Sequence, residues 1–160
     1  MHYEGEEIYQ VIPNRYPFMI LSSLDVEDNK AIAKIALKND MWFFDCHYPG
    51  HPILPMTLLI ESLTQTFSAT FLSKLDKVEI PVIYSITGPN GGAILQKEEA
   101  VPGDVITIEA TLNSFKRGLA KGKCCAYKND AEEPNPLWNL ILWMFFPHKW
   151  CDSNDNKSNR

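Results

Sequence analysis

Residues 57–72, TLLIESLTQTFSATFL, contain neither proline nor glycine and carry apolar side chains at helical spacing. Leu59, Leu63 and Phe67 recur every four residues, which predicts an α-helix over the whole stretch. Glu61 is its single charged residue. Because the helix has no charged face to turn toward solvent, we expect other structure to enclose it.

The segments around this helix show the alternation that is typical of β-strands. Residues 30–37 place Ala31, Ala33 and Ile35 on one face and the lysines on the other. The pattern also predicts β segments at residues 81–86, 104–115, 119–127 and 137–146, a strand start at 19–21, and a short helix at 6–12. One enclosed helix with about five or six strands predicts a sheet wrapped around a helix.

The composition limits the domain count and the kinds of partner. The chain has 160 residues, of which 45% are hydrophobic, as expected for one packed domain. We place this domain at residues 1–150 and expect the polar tail at 151–160 to be disordered. The net charge of −5 provides no overall positive field to bind nucleic acid or an anionic membrane.

The chain shows no sign of export or of a metal centre. Its apolar runs are too short to span a bilayer and its N terminus lacks the features of an export signal, so we expect a cytoplasmic protein without membrane insertion. The four cysteines form no CxxC pair. A metal site made of Cys46, His47, His51 and Glu61 is disfavoured, because the prolines at residues 47–52 prevent the helix that such histidine spacing needs.

His47 and Glu61 are the candidates for acid–base chemistry. His47 lies in the irregular loop CHYPGHP at residues 46–52, and Glu61 lies in the first turns of the predicted helix. Burial favours the protonated form of a carboxyl group, which suits a general acid, and histidine is the natural complementary base. Gln65 is placed to orient Glu61 by a hydrogen bond. A structural His–Glu pair without catalytic function is the alternative.

Four stretches then point to a family: IPNRYPF at 12–18, FFDCHYPGHPILPM at 43–56, ESLTQ at 61–65 and VPGD at 101–104. They resemble, in order and spacing, the motifs I-P-H-R-Y-P-F, F-F-x-G-H-F-P-G-x-P-(V/I)-M-P-G, E-(A/S)-(M/L)-A-Q and V-x-P-G-D of the β-hydroxyacyl-acyl carrier protein dehydratases. The resemblance implies the α+β hot-dog fold, in which an antiparallel sheet wraps around one long central helix. It also implies a homodimer, or a trimer of such dimers.

The resemblance further implies dehydration of (3R)-3-hydroxyacyl thioesters, carried by acyl carrier protein, to trans-2-enoyl thioesters in fatty-acid or related lipid or polyketide-like synthesis. No metal and no organic cofactor would be needed. His47 of one subunit would take the α-proton, and Glu61 of the other would protonate the departing hydroxyl group. The residues expected to line the substrate are Tyr48, Pro55, Met56, Thr57 and Gln65.

Several positions depart from the family pattern. Asn14 replaces a histidine, Cys46 a glycine, and Met56 the glycine that precedes the long helix. Met56 retains a backbone N–H group for the thioester carbonyl but adds bulk where the acyl arm should pass, and a positive φ there would strain it. A hot-dog thioester hydrolase and a catalytically weak acyl-binding subunit are therefore the alternative functions.

A cluster of positive charge surrounds a predicted turn at residues 117–118. It consists of Lys116, Arg117, Lys121 and Lys123, which we call the basic hairpin. Because acyl carrier proteins are acidic, these side chains are expected to bind the carrier. The alternative is an ordinary solvated hairpin tip.

Overall fold

The computed structural model describes residues 1–76, 80–88, 91–94, 98–129 and 138–145. These residues form one long helix, α1 (Met56–Leu72), a 3₁₀-helix (Gly5–Gln10) and seven strands. The strands are β1 (His2–Glu4), β2 (Ser23–Glu27), β3 (Lys30–Ala36), β4 (Val82–Thr87), β5 (Val105–Lys116), β6 (Leu119–Lys128) and β7 (Trp138–Phe145). They make one antiparallel sheet in the order β1-β2-β3-β5-β6-β7-β4.

The sheet packs around α1, which contacts β5, β3 and β6 most extensively. Leu59, Leu63 and Phe67 of the helix are fully buried, as are Ile35 of β3 and Ile108 of β5. The helical spacing of residues 57–72 and the alternation of the strands therefore bury one common core. The predicted α+β architecture, with one central helix inside an antiparallel sheet, is confirmed.

At Gly122 the helix approaches β6 so closely that no side chain fits between them. A Cβ atom at this position would overlap the ring of Phe67 and the backbone carbonyl oxygen of Thr111. The pairing of β5 with β6 is irregular at the same place, between Leu112 and Ser114. Glycine at position 122 thus sets the distance between the helix and the sheet.

Buried hydroxyl groups along α1 find their acceptors within the helix. Ser62 and Thr66 each donate to the carbonyl oxygen four residues earlier, at 2.9 and 2.8 Å. Thr64, Ser68 and Thr70 each donate to the carbonyl oxygen three residues earlier, at 2.7 Å. This pairing explains how a helix rich in serine and threonine can lie inside the protein.

The predicted boundaries agree with the structure for most elements. The helix predicted at 57–72 is Met56–Leu72, and the strands predicted at 30–37, 81–86, 104–115 and 119–127 match within one residue at each end. Of the segment predicted at 137–146, the described part is the strand Trp138–Phe145. The short helix predicted at 6–12 is the 3₁₀-helix Gly5–Gln10.

The strand start predicted at residues 19–21 is wrong. Met19, Ile20 and Leu21 are all buried, but the backbone there is irregular. The strand is Ser23–Glu27, in which buried Leu24 and Val26 alternate with exposed Asp25 and Glu27.

None of the helices in the described ranges is long and apolar enough to cross a membrane. The polar tail predicted at 151–160 lies outside those ranges.

Candidate active site

The carboxyl group of Glu61 is held by two side-chain amides. Glu61 lies in the second turn of α1 and is half-buried. Its Oε1 atom accepts hydrogen bonds from Asn14 Nδ2 at 2.8 Å and from Gln65 Nε2 at 2.9 Å. The predicted contact between Gln65 and Glu61 is therefore present. Asn14, whose only signal in the sequence is its departure from a family motif, is a second partner.

A rigid loop presents Asn14 to the helix. The side chain of Arg15 donates through Nη1 to the carbonyl oxygens of Ile12, Pro13 and Asn14 at 2.9, 3.1 and 2.9 Å. The guanidinium group also lies 4.4 Å from the centre of the Tyr9 ring. These contacts fix the loop at residues 12–15, so the Asn14 amide reaches Glu61 from a defined position.

A cavity of about 250 Å³ opens beside Glu61. Its lining includes Thr64, Gln65 and Ser68 of α1, Ile80 and Pro81 just before β4, and Ile83 within β4. The hydroxyl groups of Thr64 and Ser68 are bonded back to the helix. The cavity is thus polar where it meets Glu61 and Asn14 and more apolar at β4.

Of the two ring nitrogens of His47, Nε2 is the one left as an acceptor. The Nδ1 atom lies 3.2 Å from the carbonyl oxygen of Ile53, and because a carbonyl can only accept, Nδ1 carries the proton. The ring is half-buried and stacks on Tyr48 with the ring centres 4.2 Å apart. Within the described part of one chain, His47 neither borders the cavity at Glu61 nor forms a hydrogen bond with that carboxyl group.

The start of α1 carries the other residues predicted to line the substrate. Pro55 is the buried N-cap, Met56 is half-buried, Thr57 is exposed, and Tyr48 lies exposed in the preceding loop. Position 56 has helical backbone, and its φ angle is not positive. Methionine at this position therefore carries no backbone strain from a positive φ.

The residues of the disfavoured metal site point to separate partners. Cys46 Sγ donates to the carbonyl oxygen of Phe43 at 3.4 Å, and His51 Nε2 lies 2.9 Å from Glu99 Oε2. Among the residues that the structure describes, no three histidine, cysteine or acidic side chains are grouped to hold a metal ion.

The basic hairpin lies at the turn between β5 and β6, where Arg117 and Gly118 have φ angles of 51° and 74°. All four of its basic residues are exposed. Phe115 stacks on Phe71 near the C-terminal end of α1, with the ring centres 5.7 Å apart. Phe71 follows Glu61 by ten residues, which is about 15 Å along a helix. In one chain the hairpin therefore lies well away from Glu61.

The family model of the FabA-like domain matches residues 12–131. The chain belongs to the FabA-like family. The match begins in the loop that carries Asn14 and includes both His47 and Glu61. It supports the resemblance drawn from the four sequence motifs and places the candidate residues inside the domain that defines this family.

Individual members of the FabA-like family resemble the chain over most of its length. It is 34% identical to the 3-hydroxyacyl-[acyl-carrier-protein] dehydratase FabZ of Acetivibrio thermocellus over 125 residues, which cover 75% of this chain and 81% of that protein. It is 32% identical to the same enzyme of Wolbachia sp. subsp. Drosophila simulans (strain wRi), over 89% of this chain and 98% of that protein.

A solved structure shows the same fold. A chain of the dehydratase heterocomplex ApeI:P from Xenorhabdus doucetiae superposes with a TM-score of 0.71 and 15% identity, covering 89% of this chain and 91% of that one.

Proposed function

We propose that the protein is a 3-hydroxyacyl-[acyl-carrier-protein] dehydratase, which converts (3R)-3-hydroxyacyl thioesters into trans-2-enoyl thioesters and water during fatty-acid or related lipid synthesis. One observation carries the proposal. The half-buried Glu61 carboxyl group is held by Asn14 and Gln65 beside a cavity that is also lined by apolar residues at β4. The identity to dehydratases over most of the chain supports it.

Two proton transfers account for the reaction. His47 Nε2 removes the proton next to the thioester carbonyl, and the electron pair of that C–H bond forms the new C=C bond. Glu61 gives its proton to the hydroxyl oxygen as the C–O bond breaks, so water leaves. Backbone N–H groups of Met56 and Thr57 at the start of α1 stabilise the negative charge on the thioester oxygen.

The two catalytic groups belong to different chains in this proposal. In one chain His47 does not border the cavity at Glu61, whereas that cavity ends at β4, the last strand of the sheet. Val82 and Ile83 of this edge strand are 49% and 40% exposed. Pairing of β4 with its copy would occupy the unpaired backbone groups of this edge and bring a second chain to the cavity, giving a homodimer that can assemble further into a trimer of dimers.

The direct test is an assay with a 3-hydroxyacyl thioester. We expect the absorbance of the conjugated enoyl thioester to rise while the concentration of free thiol stays constant. Release of free thiol would identify a thioester hydrolase, in which Glu61 activates water. Binding without either signal would identify an acyl-binding subunit. Both outcomes contradict the dehydratase proposal.

Replacing Met56 with glycine is expected to favour longer acyl chains. The substitution removes a half-buried side chain at the start of α1, and we expect kcat/KM for the longest substrates to rise about tenfold, the scale of one to a few methylene groups. Because position 56 is helical, the glycine should also lower the free energy of unfolding by up to about 1 kcal/mol.

A series of thioesters of increasing length measures the effect of Met56→Gly on kcat/KM. Met56→Leu retains the bulk and serves as the control, and an unchanged length dependence in a folded Met56→Gly variant would contradict the prediction.

Reversing charge on the basic hairpin is expected to weaken the use of carrier-bound substrate. The double variant Arg117→Glu, Lys121→Glu should raise the apparent KM for acyl carrier protein thioesters about tenfold at low salt, because an acidic carrier loses its electrostatic attraction. A short pantetheine thioester, which has no carrier, should keep its KM. Lys30→Glu with Lys34→Glu on β3 changes the net charge equally and is the control. Equal effects of the hairpin variant on both substrates would assign the hairpin a structural role.

A further inference from the structure

We infer that Asn14 is a positioning residue which, together with Gln65, fixes the Oε2 atom of Glu61 as the atom that carries the catalytic proton. The inference rests on the proposed function, because it says how the general acid of that reaction is oriented. It assigns a role to the position at which this chain has asparagine in place of the family histidine.

Both amide donors bind the same oxygen of the carboxyl group. Asn14 Nδ2 and Gln65 Nε2 lie 2.8 and 2.9 Å from Glu61 Oε1. The Gln65 amide cannot be turned around, because its nitrogen also donates to the carbonyl oxygen of Phe18 at 3.2 Å, and an amide oxygen there would face two acceptors. Gln65 Oε1 is buried without a partner in the described structure, so this orientation is maintained at some cost.

Two N–H donors occupy both lone pairs of Oε1, so a proton on Glu61 has to reside on Oε2. No donor within the described ranges reaches Oε2, and Glu61 borders the cavity. The proton is thereby placed on the oxygen that is available to the substrate. Gln65 alone would hold Oε1 by one bond from the same helix. Asn14 adds a second bond from the loop fixed by Arg15, which restricts rotation of the carboxyl group.

The hydrogen bonds can be tested without any turnover. In ¹⁵N NMR spectra, the side-chain NH₂ signals of Asn14 and Gln65 should titrate together as Glu61 changes its protonation state. Both titrations should disappear in Glu61→Gln. The amide of Asn113, an exposed asparagine on β5, is the control and should show no change that depends on Glu61. An Asn14 signal that is indifferent to Glu61→Gln would overturn the inference, whatever reaction the protein catalyses.

Kinetics test whether the orientation matters for catalysis. Asn14→Ala should lower kcat roughly 10- to 100-fold with little change in KM, the scale of one hydrogen bond to a charged group that acts in the transition state. Asn14→His supplies a ring N–H donor and should restore much of kcat. Asn113→Ala should behave as the unsubstituted protein.

The results separate the two proposals. If the unsubstituted protein dehydrates the thioester and Asn14→Ala leaves kcat unchanged, the role of Asn14 is refuted and the dehydratase proposal stands. If Asn14→Ala lowers kcat and Asn14→His does not restore it, Asn14 has only a structural role and the inference is likewise refuted. If no thioester is dehydrated, the proposed function fails, while the NMR titration still decides whether Asn14 and Gln65 share Glu61.

Discussion

His47→Ala and Glu61→Gln are each expected to lower the rate of dehydration by between about 100-fold and 10,000-fold, the range attributed to a single general acid or base. The first removes the group that we propose takes the α-proton. The second retains the shape of the side chain and its contact with Asn14 but cannot donate the proton as a carboxylic acid does. Initial rates with a 3-hydroxyacyl thioester measure both effects.

Neither substitution should unfold the protein. His47 is half-buried in a loop, and glutamine at position 61 can still accept the amide hydrogen bonds made at Oε1. Thermal unfolding and circular dichroism that match the unsubstituted protein are the control. A rate within a few-fold of the original for either folded variant would remove that residue from the proposed mechanism.

Mixing the two inactive variants should restore about one quarter of the original activity. Random exchange makes about half of the dimers hybrids, and symmetry gives each hybrid one site with both substitutions and one site with neither. The recovered activity should rise with the extent of subunit exchange, which native mass spectrometry of isotopically labelled chains can follow. The two variants incubated separately are the control.

If the subunits exchange completely and no activity returns, His47 and Glu61 of the same chain form one site. That result would contradict the proposal that two chains share one site. The roles of His47 as base and Glu61 as acid would then be judged from the rates of the single variants.

The sequence allowed the central helix and strands β3 to β7 to be predicted because those elements depend on local features. Pro55 sets the start of α1, since its ring fixes φ and removes an N–H donor. The turn at Arg117 and Gly118 separates β5 from β6. The hydrogen bond from Gln65 to Glu61 was also predictable, because residues four apart lie on one side of a helix.

Contacts between distant segments were not predictable in this way. Asn14 and Glu61 are 47 positions apart, and no periodic pattern relates a loop to a helix at that distance. The only signal in the sequence was Asn14 itself, a polar residue that differs from the family in an otherwise matching motif. Strand β2 was missed for a related reason: the continuous burial of the residues before it depends on what the folded chain places over them.

The hydroxyl groups along α1 also affect how the site can change through evolution. Because Ser62, Thr64, Thr66, Ser68 and Thr70 donate to carbonyl oxygens of their own helix, the surrounding segments need not supply acceptors for them. Substitutions in those segments can alter the shape of the cavity without leaving a hydroxyl group of α1 unpaired. The helix can thus keep its own hydrogen bonding while its neighbours diverge.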